Sequence, residues 1–252
     1  MNNIKISAVS YTNTKPFIYG LQHTGIIQNI ELSLDNPTDC AQKLIDGRVD
    51  IGLIPVAAIL SLPYSEIVSD YCIGAEGAVN SVFIFSNCDI HEIKTLQLDP
   101  QSRSSNNLAR VLLKNYWTVN DLNIVDAADY AQSSEPHTAF VQIGDRTFGK
   151  KNQYKFVYDL AEEWQKFTGL PFVFAAWIAN KPIPKEFMAQ FNIALKYGLD
   201  HRPELLQELP ARTDFDLEDY LMHKLDFELT ANKKEALNMF LTYVKELKVN
   251  VS

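Results

Sequence analysis

Apolar positions fall in short blocks along this chain, and the blocks switch between strand-like and helix-like spacing. Ile4–Val9 is an apolar run of strand length. Behind it a helical pattern over 14–22 opens with Thr14 as a cap and Pro16 in its first turn, where a missing N–H costs nothing. A strand over 30–34 leads into Asn36-Pro37 and a helix over 39–45 that stops at Gly47. A buried strand over 50–54 follows, then a helix expected to open at Pro55, and strands over 67–69 and 80–86. A second series begins with strand 96–98, helix 104–116 and strand 123–125. Strands 138–143 and 154–158 come next, then a helix carrying Leu160, Trp164 and Phe167 that ends at Gly169. Strand 171–178 precedes a helical remainder over 186–197, 203–209, 217–225 and 233–247.

Repeated strand-helix units predict an α/β fold whose mixed, mostly parallel sheets are flanked by helices. Two such series joined by two crossings predict two lobes, one formed by 1–85 with 176–252 and the other by 86–175. A ligand is then expected in the cleft between them.

Composition narrows this picture without redirecting it. The 252 residues are 46% hydrophobic and 21% charged, the balance of an ordinary globular protein, and the longest apolar runs are too short to span a membrane. The net charge of -8 is not gathered into an acidic block, and the basic residues are scattered, so no nucleic-acid partner is expected. Cys40, Cys72 and Cys88 are odd in number and lack Cys-x-x-Cys spacing, which predicts free thiols, no disulfide framework and no zinc site. The start of the sequence has no charged, apolar and small-residue succession of a secretory signal, so a cytoplasmic location is the expectation. The oligomeric state is left open, with a homodimer as one option.

Four polar clusters sit at strand ends. The first is Ser10-Tyr11-Thr12-Asn13-Thr14-Lys15-Pro16, placing hydroxyls and helix-start N–H groups where open α/β sheets hold ligands. The second is Asp99-Pro100-Gln101-Ser102-Arg103-Ser104-Ser105, in which hydroxyls and a guanidinium converge on a helix start, the chemistry that recognises a carboxylate or phosphate. The same residues also fit a capping box with solvent-facing serines. The third is Gln142-Ile143-Gly144-Asp145, where Gly144 permits close approach of backbone to ligand, a plain turn being the alternative. The fourth is Asn80-Ser81, at the start of a strand that crosses between the lobes. Trp177, near the second crossing, is expected to face the cleft. No metal-ligand spacing occurs among His23, His91, His137, His201 and His223, no Gly-x-Ser-x-Gly elbow is present, and no nucleotide phosphate loop occurs, so no metal or cofactor is expected.

Taken together, Val9-Ser10-Tyr11-x-Asn13-Thr14-x-Pro16, 50–56 (Asp-Ile-Gly-Leu-Ile-Pro-Val), Val79-x-Ser81-Val82, Ser102-Arg103-Ser104-Ser105, Ile143-Gly144-Asp145 and Leu170-Pro171-Phe172-Val173-Phe174-Ala175-x-Trp177 resemble the chorismate dehydratases of the futalosine route to menaquinone. The motifs run in that family's order over about the first 180 residues. Ser104 stands where many relatives carry Thr, and Gln142 where an apolar residue is common. The resemblance implies a fold like the type II periplasmic solute-binding proteins, with the ligand clamped between lobes. It also implies chorismate as the small-molecule substrate and loss of water to give 3-[(1-carboxyvinyl)oxy]benzoate. On that basis Asn13 and Ser81 are expected to assist departure of hydroxide, and Ser10, Tyr11, Thr14, Ser102, Arg103, Ser104, Ser105, Gly144, Asp145 and Trp177 to hold the substrate. The other readings are a solute-binding or sensing module without turnover and the sister dihydroxynaphthoate synthase, whose first motif differs from this one.

Overall fold

A computed structural model describes residues 3–126 and 135–249. The chain begins with β1 (Ile4–Val9), α1 (Lys15–His23), β2 (Ile30–Asp35), α2 (Pro37–Ile45), β3 (Ile51–Pro55) and β4 (Glu66–Ala75). It crosses into a second body formed by β5 (Val82–Ser86), β6 (Thr95–Leu98), α3 (Ser104–Asn115), β7 (Asn123–Asp126), β8 (Thr138–Ile143), β9 (Phe156–Asp159) and α4 (Leu160–Thr168). It returns through β10 (Phe172–Ala179) and finishes with α5 (Lys185–Asp200), α6 (Arg202–Glu208), α7 (Leu217–Asp219), β11 (Asp226–Glu228) and α8 (Ala231–Val249).

Two sheets result, ordered β11-β4-β10-β3-β1-β2 and β7-β6-β8-β5-β9. The α/β class and the two-body arrangement are as expected, but the balance of directions differs. Among the described residues four strand pairs are parallel and five antiparallel. The antiparallel pairs all involve β10, β11 or β5, strands that enter or follow a crossing, whereas strands linked through α1, α2 and α3 run parallel as crossover helices require. The expected boundary at 85/86 runs through β5, whose ladder belongs wholly to the second sheet. The boundary at 175/176 likewise runs through β10, which pairs with β3 and β4 of the first.

Local chemistry fixes the elements that frame the cleft. Asn36 accepts the Asp39 N–H at 2.9 Å and Pro37 occupies the first turn of α2. Asp159 caps α4 by accepting from Ala161 N at 3.1 Å, and α4 ends at Gly169 in the left-handed conformation (φ 74°). One continuous apolar core runs through both bodies, and Phe83, Phe85 and Phe140 form a smaller cluster on the second sheet. α8 joins the bodies by packing against both α3 and β10. No helix among the described residues is long and apolar enough to cross a membrane.

Candidate functional site

The carboxyl ends of β1 and β3, the crossing segment before β5, the end of β8 and the first turn of α3 enclose a cavity of about 60 Å³. Its wall includes Tyr11, Asn13 and Thr14 from the loop after β1, Ser81 from the crossing, Ser102, Ser104 and Ser105 from the start of α3, and Gly144 after β8. The first, second, third and fourth polar clusters of the sequence therefore meet at one place. Val9, Ile73, Val82, Ile143, Phe174 and Leu225 supply apolar walls. Apart from the Tyr11 phenol, no ionisable side chain lines the cavity among the described residues.

The hydroxyls are held by backbone. Ser102 Oγ accepts Ser105 N at 3.0 Å, and Ser104 Oγ accepts Ala57 N at 3.2 Å across the cleft. A serine oxygen that accepts an N–H retains its own hydrogen to give, so both residues remain donors toward the cavity. The start of α3 adds the positive end of the helix dipole, which makes this wall suited to a carboxylate. Asp99, 2% exposed, ties the loop to β8 by accepting Ile143 N at 3.0 Å, Gln101 N at 2.8 Å and Arg146 Nη2 at 2.7 Å.

Opposite, Thr14 Oγ1 donates to Asn13 Oδ1 at 3.2 Å. Tyr220, 1% exposed, donates its hydroxyl to Ser81 Oγ at 2.8 Å. Burial pushes this phenol well above the usual tyrosine range, so it stays protonated. Gly144 has φ 66°, and a Cβ there would lie 2.6 Å from the Tyr11 ring, so only glycine lets the ring close this end of the cavity. Tyr11 in turn donates to Gln101 across the cleft.

Four expected residues stand off the wall. Ser10 lines a neighbouring cleft beside α1 and α6, its N–H bonded to Asp35 O at 2.9 Å. Arg103 does not line the cavity and instead donates to Gln42 Oε1 of α2 at 3.2 Å. Asp145 turns away from the cavity to accept Thr12 N at 3.1 Å and Thr12 Oγ1 at 2.8 Å. Trp177 pairs with Leu53 in mid-sheet and is fully buried between Phe17 and Phe191, because β10 has by then carried it past the cleft. Tyr220 went unmarked in sequence; a buried tyrosine in a helical stretch looks like core, and only its need for a hydroxyl partner distinguishes it from phenylalanine.

Outside the cavity, Cys88, Glu92 and His137 bring potential metal-ligand atoms within 4.8 Å of one another. The sequence hid this, since Cys88 and Glu92 share one segment but His137 comes from another, just before β8. Glu92 and His137 are exposed, and none of the three lines the cavity.

Comparison with known proteins agrees with this architecture. The chain is 26% identical over 253 residues to the chorismate dehydratase of Campylobacter jejuni, covering 95% of this chain and 96% of that protein. Its fold is similar to that of a protein from Archaeoglobus fulgidus (TM-score 0.75, 14% identity, 98% of each chain covered). It is also similar to the periplasmic aliphatic sulphonate binding protein SsuA from Escherichia coli (TM-score 0.59, 13% identity, 99% of this chain and 93% of that one). A Candida albicans protein described as having the generic periplasmic binding protein fold matches at TM-score 0.61 and 10% identity, over 98% of this chain and 94% of that one. The family model for menaquinone biosynthesis matches residues 4–246, and the chain belongs to that family.

Proposed function

We propose that this protein is a chorismate dehydratase, removing water from chorismate to give 3-[(1-carboxyvinyl)oxy]benzoate. The observation that carries this reading is the character of the cavity: hydrogen-bond donors on two walls and no protein base between them. Dehydration of chorismate needs little more. A ring proton leaves one carbon, hydroxide leaves its neighbour, and aromatisation drives both steps. Asn13 and Ser81, both on the cavity wall, would donate to the departing hydroxide, whose negative charge develops only as the C–O bond breaks. With no carboxylate, histidine or lysine on the wall, the substrate's own carboxylate accepts the ring proton, and hydroxide plus a proton leave as water. Serines 102, 104 and 105 with the start of α3 would hold a carboxylate, which keeps the enolpyruvyl group away from the ring and closes the route to rearrangement by positioning.

The likeness to transport-type binding proteins favours a second reading, binding without turnover. Incubation with chorismate separates them. The dehydratase yields an aromatic product lighter than the substrate by one water, seen by ultraviolet absorbance and mass spectrometry. Saturable binding with chorismate recovered intact overturns the proposal, as does exclusive turnover of cyclic dehypoxanthine futalosine, the substrate of the sister enzyme. In the active protein, Asn13→Ala and Ser81→Ala should each lower kcat about 100-fold, the usual loss for one donor to a developing anion.

A further inference from the structure

Tyr220 is a buried hydroxyl for which packing alone gives no reason. It opens a single π-helical turn, Tyr220–Lys224, a local irregularity that is common where a side chain has to be aimed. Its ring is held edge-on by Phe148 (centroids 5.4 Å apart, 75° between planes) and Phe215 (5.3 Å, 73°). These contacts leave the ring little freedom to turn.

The direction of each hydrogen bond follows from what each group can give. Asn13 Oδ1 accepts from Thr14 Oγ1 at 3.2 Å, which keeps the amide N–H groups of Asn13 as donors. The phenol has one hydrogen, and it goes to Ser81 Oγ at 2.8 Å. Ser81 is 2% exposed and has Tyr220 as its side-chain partner among the described residues. Its own hydrogen therefore points away from Tyr220, and Ser81 is part of the cavity wall. Because burial keeps the phenol protonated, the bond from Tyr220 to Ser81 runs in one direction.

We propose that Tyr220 is a positioning residue that, by donating to Ser81, fixes the Ser81 hydroxyl as a donor to the substrate's departing hydroxyl. The inference rests on the dehydratase reading. Without the phenol oxygen, the Ser81 hydrogen is no longer restricted to the cavity side. The loss falls on kcat, since the bond it supports matters most when charge builds on the leaving oxygen.

The test uses the full chain and chorismate. Tyr220→Phe keeps the ring and its aromatic contacts. It should lower kcat about 10-fold, the scale of one buried hydrogen bond, with KM and the melting temperature little changed. In a Ser81→Ala background the same substitution should cost nothing more, because the residue it acts through is gone. Wild-type kcat in Tyr220→Phe, or losses that multiply in the double variant, overturn the role. If Tyr220→Phe does not fold, the hydroxyl proton of Tyr220 in tyrosine-labelled wild type is the second measurement. It should resonate downfield with slow exchange and change in Ser81→Ala, and an unchanged signal overturns the proposal. A wild type that leaves chorismate intact overturns the dehydratase reading and this role with it. Active wild type with an indifferent Tyr220→Phe overturns the role alone.

Discussion

Gly144 and Tyr11 form one packed pair whose two requirements coincide. The backbone at Gly144 lies in the left-handed region, and the space a side chain would take is filled by the Tyr11 ring, with ring carbons 2.6 and 2.7 Å from where a Cβ would sit. Gly144→Ala should therefore cost roughly 2 to 3 kcal/mol, combining left-handed strain with displacement of the ring. It should also lower turnover, because Tyr11 closes one end of the cavity. Thermal unfolding beside a kinetic assay checks this: both quantities should fall together, and a stable but inactive variant would assign Gly144 a role in chemistry instead. The need for Gly144 was legible in sequence, since glycine at a strand end announces a special backbone. The course of Arg103 away from the cavity wall was not. A sequence places the guanidinium next to the right serines, but the helical geometry at the start of α3 turns it to Gln42 while its neighbours face the cavity.

Among the elements, those with local punctuation were readable and those shaped by tertiary contacts were not. β8 has its expected bounds, and α4 ends at Gly169 as expected. The helix expected from Pro55 is only a 3-10 segment, Val56–Ser61, because Pro63 holds Leu62 extended (φ -92°, ψ 133°) and prevents continuation. The expected helix over 217–225 divides into α7 and the π turn that aims Tyr220, and β11, three residues on a sheet edge, left no periodic signal at all. The junction of β9 and α4 carries a testable consequence. Asp159 caps α4 and also accepts Asn80 N at 2.7 Å, at the crossing where Asn80 adopts φ 59°. Burial pushes its carboxyl up to about 6, against backbone N–H groups that pull it down. The folded chain thus keeps this proton between about pH 4 and 6 while the unfolded chain, near 3.9, has lost it. The group's contribution is fully present below pH 4 and lost as pH rises through 6, by roughly 3 kcal/mol. Denaturant unfolding at a series of pH values should show the stability difference between wild type and Asp159→Asn largest near pH 4 and declining toward pH 6.5. Parallel profiles would mean that the carboxyl titrates normally.

Across the whole molecule, the bodies are joined differently on the two sides of the cleft. On one side α8 and the continuous apolar core hold them together. On the other, among the described residues, the Tyr11 ring packs on Gly144 and polar contacts join the bodies, including Tyr11 to Gln101, Thr12 to Asp145, Thr38 Oγ1 to Pro100 O at 3.3 Å, and Arg103 to Gln42. A cavity of about 60 Å³ has room for only a few waters at the ten to fifteen Å³ each needs, so under the proposed function a ring bearing two carboxylates would enter only when the polar side parts. Closure over the substrate then depends on remaking those bonds. The motif order pointed to a cleft, but which cluster members face the ligand and which face the opposing body depends on side-chain direction, and that separates Gly144 from its neighbour Asp145. Asp145 accepts both the N–H and the hydroxyl of Thr12, charge-assisted bonds present only when the bodies are together. Asp145→Ala should raise KM for chorismate about 10-fold, the equivalent of roughly 1.5 kcal/mol, through a less populated closed form. kcat at saturation should change far less, since substrate binding can restore closure. Calorimetry should show a melting temperature within a few degrees of wild type, because the apolar side is untouched. A collapse in melting temperature with unchanged KM would assign the Asp145 bond to holding the fold, and closure would have to depend on Tyr11 and Gln101.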